Sequence, residues 1–160
     1  MRQGIARLAL AATMVAAAAS AAAMDCTKSR PETVVADLYL RSSGLAQAAS
    51  KAHLSATLRG LLEADANKAQ RIELSHWSGV RPTVGERLLV SDTLVEGRRA
   101  SSRVSFSAAD RAGSSPQRLF AQVHLVREAD GCWRVDDIVR DEESLRAQLA
   151  ARPPESPASR

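Results

Sequence analysis

Residues 118–140, RLFAQVHLVREADGCWRVDDIVR, carry the reading on which the fold turns. From Arg118 to Glu128 apolar and polar side chains alternate, the period-two signature of a half-buried strand. Asp130-Gly131 follows, a dipeptide suited to the tight turn of a hairpin. Alternation resumes from Cys132 to Arg140, with Trp133, Val135 and Val139 on one face. The stretch predicts two antiparallel strands.

Upstream, Ala112-Gly113-Ser114-Ser115-Pro116 reads as a connection. Before it, Ala100, Ser102, Val104 and Phe106 share one strand face, and a turn falls near Gly97. Leu88, Val90 and Leu94 mark the first strand, and Ser75 to Gly85 reads as a loop. Leu54, Leu58, Leu61 and Leu62 form the stripe of a helix that starts near His53 or Ser55. An earlier helix, from about Arg30 to Arg41, buries Val34, Val35 and Leu38, with Ser29 and Glu32 as a capping box; Ser42-Ser43-Gly44 breaks it. Downstream, Asp141 is expected to cap a short helix carrying Leu145 and Leu149. The plan is α+β: N-terminal helices on a curved, cone-like antiparallel sheet of about four strands, within one domain over residues 24–150. A disordered tail is expected over residues 151–160, rich in proline and serine.

Residues 1–23 have a different character. Arg2 and Arg7 precede an alanine-rich apolar run that ends in small residues, the pattern of a cleaved secretory leader. A periplasmic or secreted product follows. Asp25 in front of Cys26 removes the small residue that a lipidation site requires. Without Arg2 and Arg7, 20 basic residues face 18 acidic ones, so the basic excess nearly vanishes. Aromatics are few, and nucleic-acid binding lacks both a positive groove and stacking platforms. No later stretch is apolar enough to span a membrane. In an oxidising compartment the two cysteines, Cys26 and Cys132, are expected to pair.

Familiar catalytic spacings are missing: no dinucleotide fingerprint, phosphate loop, GxSxG, HExxH or SxxK. His53, His76 and His124 lie too far apart to suggest zinc, and no cofactor is implied. His124 shares its strand face with Phe120, Gln122 and Val126; that face either lines a cavity or forms the outer side of the sheet. Asp136 and Asp137 alternate across their strand, so one faces the helices. That carboxylate is either a general base or the partner of an arginine such as Arg103 or Arg134, and pairing is the commoner case. His76-Trp77 falls in the loop, where Trp77 either anchors a partner or closes an end of the core.

The mature chain resembles the nuclear-transport-factor-2-like (cystatin-like) superfold, and within it a family of small bacterial envelope proteins of unknown function. Pro31-Glu32-Thr33-Val34-Val35 with Leu38-Tyr39, and Leu54-Ser55 through Leu61-Leu62, carry the likeness. Gly131-Cys132-Trp133-Arg134-Val135-Asp136-Asp137-Ile138 and Ser144-Leu145 complete it over most of residues 30–150. The resemblance implies a sheet wrapping helices, and relatives that pair through the outer sheet face as homodimers. Some relatives are isomerases or dehydratases with Asp and His in a cavity. The expected function is non-catalytic recognition of an envelope protein or small ligand, with Trp77, His76, His124, Asp136, Asp137 and Arg103 as binding candidates. The alternative is a small cavity enzyme using His124 with Asp136 or Asp137.

Overall fold

A computed structural model describes residues 29–40, 45, 51–68, 70–78, 88–108, 115 and 117–152. The leader, Cys26 with its pairing, the 42–44 break and the tail beyond Arg152 lie outside the described residues.

Helix α1 spans Pro31–Leu40. Pro31 suits a first helical position, where its missing N–H has no partner to lose. Val34, Val35, Leu38 and Tyr39 face the core. Helix α2, Ala56–Ala66, starts at Ser55, whose hydroxyl accepts from the Leu58 N–H. A single helical turn, α3, covers Ser75–Ser78 inside the expected loop.

Five strands then form one antiparallel sheet in sequence order: β1 Leu89–Glu96, β2 Arg99–Ala108, β3 Gln117–Arg127, β4 Trp133–Arg140 and β5 Glu143–Ser144. Helix α4, Leu145–Ala151, closes the described chain. The α+β plan holds, with one strand more than expected. Asp141 is not a helix cap. Asp141 and Glu142 both have positive φ, +52° and +66°, and form the turn that pairs Arg140 with Glu143. Such a turn matches the twist of two adjoining strands. Ser144 is the cap instead, accepting from the Ala147 N–H. The last helix runs through Ala151, and Arg152 is held by Asp65 and the Gln70 carbonyl.

The helices pack on one sheet face. Val104, Val123, Val135 and Ile138 from the sheet meet Val35, Leu58 and Leu145 with essentially no exposed surface. Each such side chain contributes about 1.5–3 kcal/mol relative to exposure. The far edge of β4 is also covered. Ser55 N–H donates to the Val135 carbonyl at 2.8 Å, and Val135 N–H donates to the His53 carbonyl at 2.7 Å. That cover suppresses edge-to-edge association.

Two bulges change which residues face the core. In β1 the register slips between Ser91 and Leu94, beside Asp92 with φ +50°. Val90 still packs on the core, but Leu94 turns outward and is 57% exposed. In β4 the register slips opposite His124 and Leu125. After the slip Ile138, not Val139, continues the buried face of Trp133 and Val135. An extra residue in one strand moves every later side chain to the other side.

Candidate functional site

The outer sheet face is built by register. Leu94, Ser101, His124 and Asp137 lie side by side across four strands. The adjacent rows are Ser91–Arg103–Gln122–Val139 and Leu89–Ser105–Phe120. His124 is half-buried and lines a shallow groove with Leu94, Glu96, Arg99 and Ser101. Leu89, Leu94 and Phe120 are all more than half exposed. Arg118 covers one part of this face, donating to Ser105 Oγ at 2.9 Å. Arg103 lies 3.6 Å from Asp92, and both side chains are about two-thirds exposed. At that exposure the pair contributes little.

Asp136 and Asp137 have a different job. The β4 bulge brings both to the sheet edge that meets the helix starts. Asp136 accepts from Ser55 Oγ at 2.7 Å and pairs through its other oxygen with Arg146. Asp137 accepts from the Ile138 and Arg146 N–H groups at 2.8 and 2.9 Å, and from Ser144 Oγ at 2.7 Å. Both helix caps, Ser55 and Ser144, therefore answer to these neighbouring aspartates. Arg146 is the partner in place of Arg103 or Arg134. Arg134 is committed elsewhere, to Glu128, Asp130 and the Ala52 carbonyl. Each of the four carboxylate oxygens accepts at least one hydrogen bond, and both aspartates line a cavity with His124, Arg99 and Arg146.

Trp77 is 3% exposed, so it closes the core rather than presenting an anchor. Its carbonyl accepts from the Tyr39 hydroxyl at 3.1 Å. His76 stacks edge-on against it with ring centroids 4.8 Å apart, and His76 Nε2 is 3.7 Å from Glu143 Oε2. Burial holds the Tyr39 phenol far above its ordinary range, and the nearby Arg140 charge offsets part of that rise. Cys132 is buried immediately before β4, its N–H donating to Asp130 Oδ1 at 2.9 Å. Among the described residues no three His, Cys, Asp or Glu side chains converge to hold a metal ion. No described helix is long and apolar enough to cross a membrane.

Sequence reasoning missed the exposed apolar members of the outer face, Leu89 and Leu94. Leu89 faces outward by alternation with Val90, whereas Leu94 does so only because of the bulge at Asp92, and an aspartate in a strand is a weak mark of one. Compared with protein-family models, curated proteins and solved structures, the chain matches none of them.

Proposed function

We propose that this chain is an exported, non-catalytic binding protein whose outer sheet face docks a protein of the envelope. The observation that carries the reading is the contrast between the two sheet faces. The helix side is filled with buried aliphatic and aromatic side chains, whereas the outer side leaves Leu89, Leu94 and Phe120 exposed beside Arg99 and Arg103. Exposed leucines and a phenylalanine flanking an arginine row give the mix of apolar, aromatic and arginine side chains that is enriched in recognition surfaces. Removal of a leader over residues 1–23, a Cys26–Cys132 cystine and a cone-like nuclear-transport-factor-2-like form belong to the same proposal.

A photo-crosslinking residue placed at Phe120 tests it. In intact envelopes it should trap one discrete partner, and the same residue at the exposed Thr57 on α2 should not. Substitution Leu94→Asp should abolish the adduct without lowering thermal stability. Equal labelling from both positions, or none from Phe120, overturns the reading. Mass spectrometry of the exported protein should give a mass lacking the leader and two hydrogens short of the dithiol form.

A further inference from the structure

We infer that a cavity beside α2, on the helical side of the molecule, binds a small monocarboxylate with a short hydrocarbon tail. The cavity measures about 190 Å³. Leu45, Leu54, Leu62, Ile72 and Leu74 give it a mainly apolar lining. Its charged neighbours are Lys51, Arg59, Glu63, Asp65 and Arg71. Two of the cations' possible partners are already taken. Glu63 pairs with Lys51 at 3.3 Å. Asp65 is buried: its Oδ2 accepts from the Ile72 N–H at 2.8 Å, and its Oδ1, which has no hydrogen-bond partner among the described residues, faces Arg152 Nε at 3.4 Å as an ion pair. Among the described residues the Arg59 and Arg71 guanidiniums have no carboxylate partner.

An apolar chamber with two unmatched guanidiniums at its side complements an amphiphile with an anionic head. Guanidinium binds carboxylate through paired N–H donors, and an ammonium head would be repelled. Size restricts the tail. Sites for drug-sized ligands start at about 300 Å³, so this one holds a short chain and not the two acyl tails of a membrane lipid. The site lies away from Leu94 and Phe120, so its fate is independent of the outer-face reading.

The test is an amide-resolved titration of the full mature chain with octanoate, octanol and octylamine. Octanoate should saturate, with shifts centred on Leu62, Ile72 and Leu74. The double variant Arg59→Gln, Arg71→Gln should weaken binding at least tenfold with an unchanged melting temperature. Octylamine should bind at least tenfold more weakly than octanoate. Octanol binding as well as octanoate, absence of saturation, or shifts centred on the outer sheet face each overturn the inference. Co-sedimentation with phosphatidylglycerol vesicles, without octanoate binding, replaces it with a membrane-surface site.

Discussion

Ser55 Oγ donates to Asp136 Oδ1 at 2.7 Å, joining the start of α2 to a strand 81 residues further along the chain. The same hydroxyl accepts from the Leu58 N–H at 3.0 Å. One side chain thus caps a helix and fixes that helix to the sheet edge. The arrangement is repeated at α4, where Ser144 caps the helix and donates to Asp137.

Ser55→Ala should destabilise the protein by about 1–3 kcal/mol, the sum of a lost cap and an acceptor left short of a donor. Asp136→Ala should cost less in the Ser55→Ala background than in the wild type. Urea denaturation of the four proteins of this double-mutant cycle measures the coupling, expected at about 0.5–3 kcal/mol. Strict additivity would show that the contact carries no stability.

Asp137 has the larger expected effect. Its replacement by Ala strands the Arg146 N–H and the Ser144 hydroxyl in a half-buried setting, at a cost of about 2–4 kcal/mol. Asn keeps the shape and one carbonyl acceptor, so its loss should be intermediate. Hydrogen exchange locates the damage: the Arg146 and Ala147 amides should lose protection before those of β2 and β3.

Much of this architecture was legible in the chain because periodicity and turn chemistry agree. The β3–β4 hairpin was readable from alternation on both sides of Asp130-Gly131, where Gly131 has φ +82°. The α2 stripe was equally readable, since Leu58 at its centre is fully buried. Errors clustered where one residue is added. A strict period of two puts Leu94 with Val90 and Val139 with Val135, and the bulges at Asp92 and Asp136–Asp137 break both pairings. The role of the aspartates was hidden for the same reason. Their partners, Ser55 and Arg146, come from elements whose placement at the sheet edge depends on the bulge. Asp141 looked like a helix cap because an acidic residue before an apolar helix usually is one. A turn with two positive φ values favours Asn-Gly, and Asp141-Glu142 lacks that signature.

Tyr39 gives the protein a pH response. Its buried hydroxyl donates to the Trp77 carbonyl, and burial raises its pKa well above the unfolded value near 10. Above about pH 10 the unfolded chain releases this proton and the native state keeps it, so stability falls as pH rises. The contribution is fully present below that pH. The expected slope is about 1.4 kcal/mol per pH unit from this one group. Tyr39→Phe should lose about 0.5–1.5 kcal/mol at pH 7 through the missing hydrogen bond. The variant should then decline less steeply above pH 10. Parallel stability curves for the two proteins across pH 8–11 would contradict this account.

Glu142 offers a substitution that should stabilise. Its φ of +66° places a bulky L-residue in the left-handed region, in a turn directly between β4 and β5. Gly adopts that conformation without a Cβ clash, which removes about 1 kcal/mol of backbone strain. Part of the gain is offset because Gly also widens the unfolded ensemble. The Glu142 side chain is exposed, so little packing is lost with it. Glu142→Gly should therefore raise stability by a few tenths of a kcal/mol up to about 1 kcal/mol. Asp141→Gly is the control: it removes the same kind of strain but also the Arg140–Asp141 ion pair at 3.2 Å. Thermal melts should rank Glu142→Gly above both Asp141→Gly and the wild type. A lower melting temperature for Glu142→Gly would mean that the turn relaxes to a different geometry in solution.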